Sequence, residues 1–223
     1  VSDLDIGMND WMVERFEWDD SYAPDRGKVL TAEQLEKMDA FYRYLDVDGD
    51  EIPYRTLPGV HPKGAYFTRG SGHTKYGAYT EDSDAYQEVL DRLLAKWETA
   101  RTMVPEAEIR YSKFNKAAIL TLGSSDGACK EAIDRLQAEN TGLNYCRVKA
   151  FPFTDEVREF IDKHEVVYVV EQNRDAQLRT LLIDDIDADQ NKLVSLLHYN
   201  GMPINAGFVV DGVLEEIKKG RAA

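Results

Sequence analysis

Ala117-Ala-Ile-Leu-Thr-Leu-Gly-Ser-Ser-Asp-Gly127 is the stretch that decides the fold. An apolar run of strand length stops at Gly123, and a helical pattern takes over, with Cys129, Ile133 and Leu136 on one face. The same alternation recurs downstream. The pattern predicts a strand over 143–148 and a helix over 155–163 begun by Thr154, then a strand over 166–170 and a helix over 175–186. A last strand falls over 193–198 and a last helix over 206–218, where Val209, Val210, Val213 and Leu214 are apolar. Apolar strands separated by helix-length crossovers call for a parallel sheet with helices on both faces, an α/β fold.

Upstream the texture differs. Val1-Ser-Asp-Leu-Asp-Ile6 reads as the end of a strand with nothing before it, which suggests a piece of a longer chain. Thr31 and Gln34 have capping-box spacing, and Leu35, Met38, Tyr42 and Leu45 continue one helical stripe. Residues 46–59, rich in Asp, Gly and Pro, form a loop. Residues 60–80 carry glycines among Tyr, Phe and His, which marks a structured loop rather than a linker. A helix over 82–103 follows, with Tyr86, Leu90, Leu93 and Trp97 in its stripe and Pro105 beyond its end. The two parts meet near residues 104–116.

The chain has 223 residues, 41 acidic against 27 basic, and a net charge of −14. Such a surface repels phosphate backbones and anionic lipid, so nucleic acid and membrane are excluded as expected partners. The longest apolar runs are strand-sized, far short of the roughly 20 residues that cross a bilayer. The two cysteines, Cys129 and Cys146, lie in apolar surroundings and read as buried free thiols. An iron–sulfur cluster usually takes four thiolates, so none is expected on this chain alone.

Several segments invite a functional reading. Asp46-Val-Asp-Gly-Asp-Glu-Ile52 imitates a calcium loop, but Glu51 stands at position six and Leu57 at twelve, where an EF-hand needs Gly and Glu. An Asp-rich turn is expected instead, and no metal. Gly123-Ser-Ser-Asp-Gly127 lies where phosphates often sit, yet Asp126 would meet an incoming phosphate with like charge, so a tight strand-to-helix turn is expected. Glu171, Gln172, Asn173 and Arg174 follow the carboxyl end of a strand, where open parallel sheets bind ligands. They are candidates for an interface or cleft, with helix capping as the alternative. Arg69, Ser71 and His73 are candidates for gripping a small anionic substrate, because Arg offers a forked donor and Gly70 and Gly72 allow close backbone approach. The alternative is a glycine-rich loop packed by its aromatic neighbours. No catalytic residue is assigned.

Five stretches resemble the α subunit of 2-oxoacid:ferredoxin oxidoreductases of the 2-oxoglutarate type. They are Asp48-Gly-Asp-Glu-Ile-Pro-Tyr-Arg-Thr-Leu-Pro-Gly59, Gly64-Ala-Tyr-Phe-Thr-Arg-Gly-Ser-Gly-His73, Gly123-Ser-Ser-Asp-Gly127, Phe151-Pro-Phe-Thr154 and Val169-Val-Glu-Gln-Asn-Arg-Asp175. The resemblance implies that residues 1–110 are the C-terminal part of a thiamine pyrimidine-binding domain and its extension. It likewise implies that 116–223 are a transketolase C-terminal-like domain.

It implies a reaction too: decarboxylation of a 2-oxoacid on thiamine diphosphate, with electrons passed through an iron–sulfur cluster to ferredoxin and the acyl group taken by coenzyme A. The Gly-Asp-Gly and Asn-Asn signature of the diphosphate site is absent here. Thiamine diphosphate, Mg2+ and a [4Fe–4S] cluster are therefore expected on a partner β subunit, in a cytoplasmic oligomer, and this chain is expected to be inactive alone. Competing readings are a non-catalytic assembly domain of such a complex, specificity for pyruvate or branched-chain oxoacids, and a flavodoxin-like nucleotide binder.

Overall fold

The computed structural model describes residues 5, 17–68, 72–113 and 116–220. The chain divides into two compact units: Glu14–Ala100, and Arg101 onward together with Asp5. The strand end expected at the opening six residues lies outside the described residues, except Asp5, whose backbone is helical.

In the first unit, α1 (Ala32–Lys37) begins at Thr31, whose hydroxyl accepts from the Gln34 amide while the Gln34 side chain accepts from the Thr31 amide. This is the expected capping box, but the helix is shorter than its stripe. It stops at Lys37, and Met38 is extended. Lys63 supplies the reason, donating to the carbonyls of Glu36 at 2.7 Å and Met38 at 3.1 Å and so satisfying the end of α1 from outside. Leu35 is fully buried and packs with Leu30 and Phe41.

The second helix, α2 (Ser83–Arg101), buries only Val89. Its apolar stripe stays part-exposed, from 41% at Leu90 and Trp97 to 44% at Tyr86 and Leu93.

The second unit is a five-stranded sheet. Its strands are β1 (Glu108–Arg110), β2 (Ala117–Leu122), β3 (Asn144–Val148), β4 (Val166–Glu171) and β5 (Leu193–Leu197), in spatial order β1-β3-β2-β4-β5. The four long strands are parallel, and β1 pairs antiparallel with β3 at the edge. β1 is absent from the sequence reading because Glu-Ile-Arg carries no apolar run. Its backbone pairing alone makes it a strand.

The helices are α3 (Ser125–Ala138), α4 (Asp155–Asp162), α5 (Gln177–Ile186) and α6 (Ala206–Lys218). Cys129, Ala132 and Leu136 of α3 and Val209 and Val213 of α6 cover one face, over Ile119, Tyr145, Tyr168 and Val170. Val157, Phe160 and Ile161 of α4 and Leu178, Leu182 and Ile186 of α5 cover the other, over Leu120, Cys146 and Val169. Burial of both faces is why β2 and β4 read as unbroken apolar runs.

Two buried polar systems fix the layers. The Arg101 guanidinium lies 2.9 Å from Asp185 Oδ2, which also accepts from the Phe153 amide at 3.1 Å. At the amino ends of the strands, Asn144 accepts from the Ser112 amide through Oδ1 and donates from Nδ2 to His164 Nε2 at 2.8 Å. His164 Nδ1 donates to the Phe160 carbonyl. Both ring nitrogens are thus committed in the neutral form.

Burial lowers the His164 pKa, aided by Lys192 and Lys163 and only partly offset by the Phe160 carbonyl. Below pH 6.5 the unfolded imidazole takes a proton that the folded one refuses, so stability is lost as pH falls. Urea unfolding should therefore show stability declining from pH 6.5 toward 5, by at most about 1.4 kcal/mol per pH unit for this group. His164→Gln should flatten that window. An equal decline in the variant would assign the effect to other groups.

Candidate functional site

Parallel sheets open a crevice where neighbouring strands send their connections opposite ways. Here β2 leads through α3 to β3 on one side, and β4 leads through α5 to β5 on the other. Both polar segments singled out in the sequence, Gly123–Gly127 and Glu171–Arg174, lie at this switch point.

The four residues at the carboxyl end of β4, Glu171 to Arg174, divide by direction, as alternation along a strand requires. Glu171 is 2% exposed, and its carboxylate accepts from the amides of Leu178 at 2.7 Å and Arg179 at 3.3 Å. It thereby caps α5, whose own N-cap Ala176 is left-handed and makes no side-chain cap bond. Asn173 donates to Glu171 and accepts from the amides of Asp175 and Gln177. Those two residues serve the helix. Arg174 is exposed and pairs with Asp175.

Gln172 turns the other way. Its Nε2 lies 3.0 Å from Ser124 Oγ, 3.1 Å from Ser125 Oγ and 3.2 Å from Asp5 Oδ2. Ser124 is the N-cap residue of α3, yet its hydroxyl makes no cap bond and donates to Asp5 at 2.8 Å.

The expected tight turn at Gly123 is present, with Gly123 at φ +63. Asp126 sits in the first turn of α3, as expected of a residue that complements the helix dipole. Burial works to raise its pKa, but hydrogen bonds from Lys130 and Tyr145 outweigh this and the net shift is downward. Asp5 is not a candidate in the sequence, and Ser124 and Ser125 are read there only as part of the tight turn. Asp5 gave no signal, being 119 positions from Ser124.

In the first unit, Arg69 and Ser71 lie outside the described residues. His73 stacks on Tyr44 with ring centroids 4.1 Å apart, and its Nδ1 donates to the Thr74 carbonyl at 2.9 Å. Gly72 is required there: a Cβ would stand 2.5 Å from the Thr80 carbonyl oxygen. The described parts of the loop are packed by aromatic contacts, with Tyr66 against Phe41 and Tyr76 against Tyr42.

Tyr44 also lines a cavity of about 700 Å3 with Asp46, Glu51, Lys75, Glu88 and Arg92. Burial lowers the Arg92 pKa, and its Nη1 donates to the Glu51 carbonyl at 3.0 Å. Asp46, Asp48 and Asp50 do cluster. Lys28 Nζ stands among them, 2.6 Å from both Asp48 and Asp50, and donates to the Ile52 carbonyl. An ammonium thus holds the Asp-rich turn.

Cys129 packs on one face of the sheet and Cys146 on the other. Two thiols parted by a sheet do not fit an iron–sulfur cluster, and burial pushes each up to about 12.

No family model matches the chain. The α subunit of 2-oxoacid:ferredoxin oxidoreductase from Saccharolobus solfataricus is 27% identical over 157 residues, 68% of this chain and 24% of that one. Among solved structures, the 2-oxoglutarate:ferredoxin oxidoreductase from Magnetococcus marinus with 2-oxoglutarate, coenzyme A and succinyl-CoA bound superposes with TM-score 0.70. It covers 82% of this chain and 32% of that one at 22% identity, a shared fold. The alpha chain of a probable 2-oxoacid ferredoxin oxidoreductase from Thermoplasma acidophilum covers 51% of this chain and 97% of that one. Its identity is 24% and its TM-score 0.36, too low to bear on the fold.

The class is thus a parallel α/β unit with helices on both faces. The curated relative carries the name that the five motifs pointed to, the α subunit of 2-oxoacid:ferredoxin oxidoreductase. This chain spans about a quarter of the curated relative it matches.

Burial pushes both thiols up to about 12, so the reactive thiolate is scarce at pH 8. Iodoacetamide at pH 8 should leave both cysteines unmodified in the folded chain and alkylate both in guanidinium chloride. Alkylation of either within minutes under native conditions would contradict their burial.

Proposed function

We propose that this chain is the C-terminal part of the α subunit of a 2-oxoacid:ferredoxin oxidoreductase that converts a 2-oxoacid, 2-oxoglutarate by preference, to its acyl-CoA. The observation that carries this reading is the match to a curated α subunit over 157 residues. The preference for 2-oxoglutarate is supported by the motifs of that subfamily and by the ligands of the structure sharing the fold. In the same reading, residues 1–110 are the end of the pyrimidine-binding domain with its extension, and 116–223 the transketolase C-terminal-like domain.

Thiamine diphosphate, Mg2+ and a [4Fe–4S] cluster belong to a partner β subunit. Together they supply the decarboxylation and the one-electron transfers. No step of that chemistry is assigned to residues of this chain, since its thiols do not fit a cluster. Its share is to help hold the complex and, through Arg69, Ser71 and His73, to grip the anionic substrate. Ferredoxin and coenzyme A are met through the assembly, in the cytoplasm. No helix among the described residues is long and apolar enough to cross a membrane. The part-exposed stripe of α2, with Leu94 67% exposed, supports an interaction surface there.

The test is reconstitution with a cysteine-rich β subunit bearing the Gly-Asp-Gly and Asn-Asn signature. The combined protein should reduce ferredoxin in the presence of 2-oxoglutarate and coenzyme A, and this chain alone should not. Turnover by the isolated chain would overturn the reading.

A second experiment separates substrate contact from scaffold. Losing a charged hydrogen bond of about 1.5–3 kcal/mol predicts a roughly 10- to 100-fold lower kcat/KM in the complex for Arg69→Ala. His73→Ala tests the neighbouring position. Unchanged turnover with every 2-oxoacid would assign the loop to packing and favour the assembly-domain reading.

A further inference from the structure

Asp5 is 8% exposed, and the crevice between β2 and β4 surrounds its carboxylate with neutral donors, Ser124 Oγ and Gln172 Nε2. Among the described residues, no Lys, Arg or His pairs with it. The amino end of α3 offers about half a positive charge, which leaves the carboxylate incompletely compensated.

Two further atoms belong to the same pair of touching side chains. Asp5 Oδ1 and Gln172 Oε1 are both buried and both lack a hydrogen-bond partner. The amide orientation is fixed by Asp5, because Oδ2 can only accept and so requires Nε2 on its side. Among the described residues, the crevice thus holds a carboxylate oxygen, an amide oxygen and two serine hydroxyls, and no donor reaches the first two. A bare buried acceptor is costly. A water would supply hydrogens but no charge, whereas a cation supplies what both oxygens and the carboxylate need. Hard oxygen donors select a hard cation, and one carboxylate matches a single positive charge.

We infer that the β2/β4 crevice binds a small monovalent cation, either an alkali ion or a primary ammonium group, through Asp5 Oδ1 and Gln172 Oε1. Ser124 and Ser125 complete the wall. The site stands apart from the oxidoreductase reading, and either can fail without the other.

The test is thermal unfolding of the full chain at constant ionic strength, with tetramethylammonium chloride replaced stepwise by KCl, NaCl or methylammonium chloride. Tetramethylammonium has no N–H and is too large to enter. The midpoint should rise saturably by about 3 °C with at least one of the three smaller cations. A response to K+ or Na+ identifies an ion, and a response to methylammonium alone identifies the amine of a larger ligand. Asp5→Asn keeps the shape but removes the charge, and it should lose the increment, as should Gln172→Leu. Lys28→Met, in the other unit, should keep it. Equal midpoints in all four salts, or an undiminished increment in Asp5→Asn, would overturn the inference and leave a water-filled polar corner. Should Asp5→Asn fail to fold, wild-type crystals soaked in thallium(I) decide the matter. An anomalous peak beside Asp5 Oδ1 supports the site, and its absence together with no rise of the midpoint in methylammonium refutes it.

Discussion

Burial of the two central strands on both faces is the constraint from which the rest follows. Leu120 and Val169 point into one helical layer, Ile119 and Val170 into the other, and all four are fully buried. A strand in that position can carry almost nothing polar along its length, so polar chemistry is displaced to its ends. The amino ends hold Asn144 and His164, which satisfy each other. The carboxyl ends hold the serines and Gln172 at the point where the connections diverge.

The same constraint explains what was legible in the sequence. Strands and helices from 117 to 218 lie within a residue or two of their expected bounds, because double burial writes each strand as an apolar run. β1 was not legible: three residues reading Glu-Ile-Arg owe their conformation to the backbone of β3. The stripe through Leu35, Met38, Tyr42 and Leu45 promised a longer α1, and periodicity alone cannot reveal that Lys63 ends it at Lys37. Long-range contacts made the difference in both cases.

The site was legible by location but not by role. The segment after β4 was recognised as polar residues at a strand's carboxyl end, yet only alternation along the backbone separates Gln172, turned to the crevice, from Glu171 and Asn173, turned to α5. Asp5 could not be foreseen, since nothing in its neighbours names Ser124 as a partner. The calcium-like loop shows the opposite case. Its failed spacing already argued against an EF-hand cage, and Lys28 places a positive charge against two of its aspartates, Asp48 and Asp50. The curated relative named as the α subunit of 2-oxoacid:ferredoxin oxidoreductase agrees with the motifs, and the crevice geometry is a property of this chain's own residues.

Amide hydrogen exchange across the sheet-bearing unit tests the central claim most directly, because protection reports how deeply each strand is locked. The account predicts slowest exchange in β2 and β4, intermediate exchange in β3, and faster exchange in the edge strands, β5 and above all the short β1. Exchange in β2 and β4 as fast as in β1 would contradict a sheet held by burial of its centre on both faces.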